Sequence, residues 1–138
     1  MDIDVRGPRF AAAVTTVVLA VALITGSAWL LAWQSFAFAL GAAGGVGRSP
    51  YGWVFRTFLR PRIGPPTQFE PPLPPRFAQA VGLVFALVGL IGFTVGPGWL
   101  GQAATGAALA AAFLNAVFGY CLGCEMYLLV RRVTVRTD

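Results

Sequence analysis

The sequence predicts an all-α integral membrane protein, a four-helix bundle made of two tandem transmembrane hairpins with an interfacial amphipathic segment and a proline-rich connector between them. Three observations support this prediction. The 138 residues are 57% hydrophobic and only 11% charged, whereas about 25% of the residues in a soluble domain are charged. The apolar residues form long runs interrupted by short glycine-containing turns. The charged residues gather at the ends of these runs, so we expect a single membrane domain over residues 1–138.

The first hairpin is expected at residues 8–47, where the sequence is almost continuously apolar. This stretch is too long for one span of about 20 residues and fits two spans joined by a tight turn. Gly26 and Ser27 supply the turn, so we predict one helix near residues 10–25 and a second near residues 28–46. No small-residue cleavage site follows the first run, so we expect the first span to remain in the protein.

Residues 48–75 are expected to connect the two hairpins outside the hydrocarbon core. Between Tyr51 and Arg60, bulky apolar side chains alternate with arginines at near-helical spacing, which is typical of an amphipathic segment in the membrane interface. Trp53 and the neighbouring arginines would seat this segment on anionic lipid. Residues 61–75 are rich in proline, so we predict an extended, semi-rigid connector without helix or strand.

The second hairpin is expected at residues 76–130. A third span over residues 76–95 is followed by a Gly-Pro-Gly turn. Trp99 then opens a fourth helix, which we expect to remain continuous through Val130 because the sequence stays apolar. Residues 131–138 are left as a cytosolic tail.

The net charge of +5 comes from ten arginines, no lysine and five acidic residues. In a soluble protein the pI near 10.3 would suggest nucleic-acid binding, but these arginines flank apolar runs, so we expect the lipid bilayer and no nucleic acid as partner. Neither short turn carries a charge, so all the arginines fall on one side, which the positive-inside rule makes cytoplasmic. We predict a multi-pass protein of the cytoplasmic (inner) membrane with both termini in the cytosol. The arginines are Arg6, Arg9, Arg48, Arg56, Arg60, Arg62, Arg76, Arg131, Arg132 and Arg136.

An internal repeat relates the two predicted hairpins. Residues 8–14 (Pro-Arg-Phe-Ala-Ala-Ala-Val) are similar to residues 75–81 (Pro-Arg-Phe-Ala-Gln-Ala-Val), and each copy opens a hairpin. An even number of spans would make the copies parallel in the membrane. Where the second helix of each half ends, the first copy has residues 48–52 (Arg-Ser-Pro-Tyr-Gly) and the second has residues 120–124 (Tyr-Cys-Leu-Gly-Cys). Both cysteines of the chain thus lie where the halves diverge, which favours a specific role for them.

The Cys-x-x-Cys pair is the candidate catalytic site, with Cys121 and Cys124 as the exchanging thiols and Glu125 as the proton acceptor. A helix that begins at Trp99 reaches the cytoplasmic interface near these residues after about 20 residues. On a helix, residues three and four apart share a face, so all three side chains would point the same way. The pair would cycle between dithiol and disulfide, or carry a persulfide, by exchange with a partner.

Local electrostatics at a helix C-terminus oppose this reactivity. The helix dipole and Glu125 would both disfavour the thiolate there, and Arg131 and Arg132 compensate only if the chain folds back. Three interpretations therefore stay open: thiol exchange, small residues packed in a helix, and a metal site. Two thiolates fill half of a tetrahedral zinc site and the chain has no histidine, so metal binding requires two protomers in a homo-oligomer. Within one chain we expect no metal and no cofactor.

A non-enzymatic role is the alternative. Gly41 and Gly45 form a small-xxx-small pair, and alanines at four-residue intervals form a ladder on the fourth helix. These faces could dock the protein to a larger complex as an accessory subunit or small transporter component. Asn115, a strongly polar side chain deep in the fourth span, would hydrogen-bond across helices or line a transport pathway. The alanines are Ala104, Ala108, Ala112 and Ala116.

The motifs Pro8-Arg9-Phe10, Arg76-Phe77, residues 48–52 and, most specifically, residues 118–124 (Phe-Gly-Tyr-Cys-Leu-Gly-Cys) resemble those of the small bacterial membrane proteins of domain-of-unknown-function family 4395. The resemblance covers nearly the whole chain. It implies a four-helix inner-membrane protein of undetermined activity, with thioredoxin-like or rhodanese-like proteins as expected partners. The family carries no assigned catalytic residues, so the candidate site rests on the cysteines themselves.

Overall fold

The computed structural model describes residues 3–137, and it describes side chains for residues 3–134. The side chain of Arg136, one of the predicted anchoring charges, lies outside the described residues. In chain order the elements are strand β1 (Ile3–Asp4), helices α1 (Arg6–Thr25) and α2 (Ala28–Gly44), a 3₁₀ turn (Val46–Arg48), α3 (Pro50–Val54), a π-helical turn (Phe55–Leu59), α4 (Arg60–Ile63), strand β2 (Phe69–Glu70), α5 (Leu73–Thr94), α6 (Gly98–Phe118) and α7 (Leu122–Thr137).

The long helices have the composition of membrane spans. Within the described residues, α1, α5 and α6 are long and apolar enough to cross a membrane. Helix α2 is also apolar but has only 17 residues. At about 1.5 Å per residue it covers roughly 25 Å, which is slightly less than the hydrocarbon core of about 30 Å. The prediction of a helical membrane protein is therefore confirmed.

The turn between α1 and α2 lies at the predicted residues. Gly26 ends α1 in the left-handed conformation with φ 65°, which glycine adopts without the steric cost that a Cβ imposes. Ser27 then caps α2, because its hydroxyl accepts a hydrogen bond from the Leu30 N–H at 3.3 Å. A left-handed glycine followed by a capping serine thus reverses the chain in two residues.

Each of the four helices α1, α2, α5 and α6 packs against two of the other three. Helices α1 and α5 both contact α2 and α6, and the core of one contact cluster contains Leu19, Leu31 and Ala108. Glycine permits the closest approach: a Cβ added to Gly92 on α5 would stand 2.7 Å from the Cα of Gly101 on α6. Backbone contact of this kind is a common way for helices to associate in lipid, where hydrophobic collapse supplies no driving force.

Two arginines hold helix ends together at one end of the molecule. Arg76, in the first turns of α5, donates to the carbonyls of Ala42 and Ala43 near the end of α2 at 3.2 and 2.6 Å. Arg9, near the start of α1, donates to the carbonyl of Ala116 near the end of α6 at 3.3 Å. The last carbonyls of a helix have no partner inside it, so each arginine caps a neighbouring helix. We call this end of the bundle the arginine end.

The connector is more ordered than the sequence predicted. Residues 61–75 were expected to form neither helix nor strand, but α4 extends into this range, β2 forms within it and α5 begins at Leu73. The prediction failed because β1, at the other end of the sequence, supplies a pairing edge: Ile3 lies opposite Glu70 in an antiparallel pair. Prolines in the first turn of α5 are also compatible with a helix start.

An ion pair fastens β1 to the connector. The Asp4 carboxylate accepts hydrogen bonds from the Arg6 side chain, the shortest at 2.9 Å, and Arg6 also donates to the Gly64 carbonyl at 2.9 Å. Burial alone would raise the pKa of Asp4, but the hydrogen bonds and charge of Arg6 outweigh it, so the pKa is lowered. The N-terminal segment is thereby tied to the residues that precede α5.

The predicted continuous fourth helix is wrong. Helix α6 ends at Phe118, and Gly119 adopts a left-handed φ of 68° while its N–H caps the Asn115 carbonyl at 3.0 Å. The chain resumes as α7, which packs against α5, with the rings of Phe77 and Tyr127 5.7 Å apart. The sequence predicted a separate tail beyond Val130, but the described residues there continue α7 as far as Thr137. The division into two hairpin repeats stays a prediction.

The close contact between α5 and α6 yields a test of the packing. We expect Gly92→Ala to lower the free energy of unfolding by about 1–3 kcal/mol, because its Cβ would press on the α6 backbone. Gly106→Ala on α6 is the matched control, since a Cβ there meets nothing within 4 Å; it should be neutral or stabilising by up to about 1 kcal/mol. Thermal unfolding in detergent measures the stability of both variants. Equal stability of Gly92→Ala and Gly106→Ala would contradict the close contact between Gly92 and Gly101.

Candidate functional site

The two cysteines form a disulfide at the start of α7. Cys121 and Cys124 are bonded, with Cα atoms 5.1 Å apart. Cys121 directly precedes Leu122, the first residue of α7, and acts as its cap: its Sγ accepts a hydrogen bond from the Cys124 N–H at 3.1 Å. Its carbonyl accepts from the Glu125 N–H at 3.0 Å. The pair thus occupies the first turn of a helix.

This position reverses the electrostatic argument drawn from the sequence. The pair was expected near the C-terminal end of a helix, where the dipole disfavours a thiolate. Because α6 stops at Phe118 and a new helix starts at Leu122, the pair instead lies at the N-terminal end of α7. The unpaired N–H groups there stabilise negative charge, and cysteines at helix N-termini are the more reactive ones.

Glycine sets how closely the site approaches α5. A Cβ added to Gly123, between the two cysteines, would stand 2.6 Å from the Cα of Ala78 on α5. Any larger residue would push the first turn of α7 away from the bundle. The glycine of the Cys-Leu-Gly-Cys motif is therefore required by packing, and it holds the disulfide against the arginine end.

The corresponding place after α2 has the same local structure without sulfur. Ser49 caps α3, and its hydroxyl accepts a hydrogen bond from the Gly52 N–H at 3.1 Å. Ser49 and Gly52 are the residues that the sequence repeat aligns with Cys121 and Cys124. Cys121 thus occupies a capping position that corresponds to the one Ser49 fills, so a serine hydroxyl can form the same kind of cap.

The disulfide borders an interhelical cavity of about 330 Å³. The cavity lies among α1, α2, α5 and α6, and the beginning of α7 and strand β2 contribute to its wall. Most of its lining is apolar, and alanine is the commonest residue type in it. The lining residues that are charged, polar or sulfur-containing are Arg9, Thr15, Glu70, Gln79, Asn115, Cys121, Cys124 and Met126.

Two amide side chains in the cavity are available to a ligand. Asn115 on α6 and Gln79 on α5 make no side-chain hydrogen bond to any residue within 3–134, where side chains are described. Both side chains are half-buried, so a ligand in the cavity that carries a hydrogen-bond acceptor or donor can pair with them. The Arg9 guanidinium adds a cation to the same wall.

Glu70 supplies the carboxyl group of the cavity wall. It lies in β2 and is half-buried, and burial raises its pKa. Glu125, which the sequence suggested as the proton acceptor, is exposed on α7 and is not among the lining residues. Glu70 is thus the carboxyl group that borders the cavity together with the cysteines, and the role of Glu125 as proton acceptor stays a prediction.

A series of hydrogen bonds lies behind the part of the cavity wall that Thr15 forms. Thr15, which lines the cavity, accepts from Gln34 at 3.4 Å; the Tyr51 hydroxyl donates to Gln34 at 2.7 Å and accepts from Trp33 at 2.9 Å. Burial raises the pKa of Tyr51, although the Trp33 donor opposes the shift. The series joins α1, α2 and α3, so it fixes their relative positions.

The sequence patterns pointed to some of these residues and not to others. The cysteines and Asn115 were candidates from the sequence, Arg9 was expected only as an anchoring charge, and neither Gln79 nor Glu70 was a candidate. A signal for Gln79 was present, because it replaces Ala12 where residues 75–81 repeat residues 8–14. Glu70 carried no such signal, since its position depends on the pairing of β2 with β1.

These features define a helical membrane protein with a disulfide at the wall of an internal cavity. The family model described as a domain of unknown function (DUF4395) matches residues 3–132, and the chain belongs to this family. The resemblance inferred from the motifs is thus confirmed. No curated protein and no solved structure matches the chain.

The capping position of Cys121 yields a test of reactivity. In the Cys124→Ser variant we expect Cys121 to react with iodoacetamide at neutral pH about 2- to 5-fold faster than an exposed thiol in the middle of α7, because the N-terminal dipole favours its thiolate by a fraction of a kcal/mol to about 1 kcal/mol. Leu128→Cys in a Cys121→Ser/Cys124→Ser background is the control. The alkylation rate is measured against pH for both thiols, because the midpoint of each profile reports thiolate formation and the plateau reports access to the reagent. Identical midpoints for the two thiols would contradict the capping role of Cys121.

The burial of Glu70 yields a pH test. Its pKa in the folded protein is raised above the ordinary 4.5, so the folded state binds the proton more tightly than the unfolded state. Stability should therefore fall as pH rises from about 4.5 through the raised value, and remain lower above it. Glu70→Gln should remove this fall in detergent melting experiments, whereas Glu125→Gln, at an exposed position, should retain it. An unchanged profile in Glu70→Gln would show that this carboxyl group is not desolvated.

Proposed function

We propose that the protein is a four-span protein of the cytoplasmic membrane, with both termini in the cytosol. In this proposal it presents the Cys121–Cys124 pair to the cytosol for thiol–disulfide exchange or sulfur relay with a soluble thioredoxin-like or rhodanese-like protein. The observation that carries the proposal is the disulfide in the first turn of α7, at the arginine end of the bundle. This position combines a helix N-terminus, which activates thiols, with the end that the charges assign to the cytosol.

The contacts at the arginine end support four spans in two repeated halves. Arg9 and Arg76 occupy equivalent positions in the repeat, and each caps the second helix of the opposite half. The motif phenylalanines also behave alike: Phe10 packs on Phe55 and Phe77 packs on Tyr127, with ring separations of 5.8 and 5.7 Å. Equivalent residues making equivalent contacts are expected of two copies related by an axis along the membrane normal.

The exchange would proceed through a mixed disulfide. A partner thiolate attacks one sulfur of the pair, the S–S bond breaks, and the second cysteine leaves as a thiolate; a second partner thiol then resolves the mixed disulfide and leaves the pair reduced. The departing thiolate forms at the N-terminal end of α7, where the dipole stabilises it. Glu125, exposed one turn after Cys121, would accept the proton of the incoming thiol.

The docking faces of the accessory-subunit alternative are partly covered within the chain. Gly41 is covered by the Gln79 side chain, whose Oε1 would stand 2.6 Å from a Cβ at Gly41. Ala104 and Ala108 are buried within the chain. Gly45, Ala112 and Ala116 are partly exposed, so these three are the part of the faces that a larger complex could contact. A thiol-independent phenotype would still favour this alternative.

Vesicle labelling tests the proposal. After reduction, a membrane-impermeant maleimide should label Cys121 and Cys124 in inverted vesicles and not in right-side-out vesicles. Mild oxidation should abolish the labelling, and a dithiol should restore it. Gly98→Cys in the Cys121→Ser/Cys124→Ser background is the orientation control: Gly98 is the exposed first residue of α6, next to the turn from α5, so it should label only in right-side-out vesicles.

Two results would contradict the proposal. If the cysteines stay unlabelled until the membrane is dissolved, the pair is buried and has only a packing role. Labelling of the native pair from the same face as Gly98→Cys would mean that the pair is not at the cytosolic end. A mixed disulfide trapped with a soluble protein by Cys121→Ser or Cys124→Ser would support exchange.

A further inference from the structure

We propose that the interhelical cavity binds the ring of a lipid-soluble quinone, and that the dithiol form of Cys121 and Cys124 reduces it. This inference rests on the proposed thiol exchange and names a second substrate of the same site. The quinone is an exchangeable substrate that arrives through the membrane. The cysteine pair would therefore connect a water-soluble dithiol on one side to a lipid-soluble electron acceptor on the other.

The cavity extends from the disulfide into the part of the bundle that lies at membrane depth. Ala107 lines its inner part and lies about 16 Å along α6 from Phe118, at about 1.5 Å per residue. Thr15 lies at a similar depth, about 14 Å along α1 from Arg6. Ala107 and Phe85 at this depth are exposed, so a ligand can enter there from lipid. A ligand that occupies this cavity is thus in reach of both the hydrocarbon and the cysteines.

The lining matches a quinone ring better than other membrane molecules. A quinone is a flat, largely apolar ring with two carbonyl acceptors. The cavity is mostly apolar and offers hydrogen-bond donors from Gln79, Asn115 and Arg9. An acyl chain would leave the two unpaired amides without partners, which is costly in an apolar site. At about 330 Å³, the cavity lies within the range of small-molecule sites of about 300–1,000 Å³.

The electron and proton balance closes with these two substrates. The dithiol gives up two electrons and two protons as both S–H bonds break and the Cys121–Cys124 bond forms. The quinone takes both electrons and both protons, so that each ring carbonyl becomes a hydroxyl. A soluble dithiol then reduces the new disulfide by exchange. The net reaction is soluble dithiol plus quinone giving soluble disulfide plus quinol.

Single-turnover quinone reduction tests the inference. The full chain in detergent is reduced with dithiothreitol, freed of reductant and mixed with decylubiquinone, whose ring has no open position for thiol addition. We expect one quinol formed and two thiols lost per chain. Asn115→Leu and Gln79→Leu should each slow this step by about tenfold, the cost of one lost hydrogen bond to a carbonyl. Gln102→Leu, at an exposed glutamine outside the cavity, should not.

The outcomes separate this inference from the proposed function. The proposed function is measured on its own by reduction of the oxidised protein with dithiothreitol or a soluble dithiol protein. Suppose that this exchange proceeds, but that the native protein reduces decylubiquinone no faster than the Cys121→Ser/Cys124→Ser variant does. The quinone inference is then overturned and the proposed exchange stands. If neither reaction occurs, both fail. If both cavity variants reduce quinone as fast as Gln102→Leu does, reduction takes place at the exposed face and the cavity is not the site.

Discussion

The capping of helix ends by arginine determines the geometry of the end of the molecule that carries the disulfide. Apolar helices in lipid gain little from hydrophobic association with each other, so polar contacts have a large influence on how their ends meet. Arg9 and Arg76 each satisfy carbonyls that their neighbouring helices cannot satisfy internally. Each bond joins the start of one helix to the end of another. The two arginines therefore hold the ends of α1 and α6, and of α5 and α2, together.

The left-handed conformation of Gly119 interrupts a continuous apolar run and places the cysteine pair at the start of a new helix. It ends α6, and three residues later a new helix begins whose first turn contains both cysteines. Arg9 lies beside this glycine, since its guanidinium carbon would be 3.7 Å from a Cβ there. One backbone conformation thus changes the cysteines from the negative end of one helix dipole to the positive end of another, which is the condition for a reactive thiol.

The proposed chemistry uses both environments that meet at the disulfide. One face of the first turn of α7 is partly exposed at the arginine end, and the other borders a mostly apolar cavity between the helices. Exchange with a soluble dithiol requires the first environment, and reduction of a lipid-soluble acceptor requires the second. Ser49 and Gly52 form the same kind of cap after α2, where the chain has no cysteine.

The sequence by itself determined the helical membrane class, the turn at Gly26 and Ser27, and the family. These follow from hydrophobicity, charge and glycine positions, which act over a few neighbouring residues. Only the tertiary structure decided where α6 ends, which carboxyl group borders the cavity and that Gln79 and Asn115 line the same cavity. Apolar character continues through Gly119 without a break, and its left-handed turn is selected because α7 can then pack on α5. Glu70 reaches the cavity because β2 pairs with residues more than sixty positions earlier, a contact that no local pattern records.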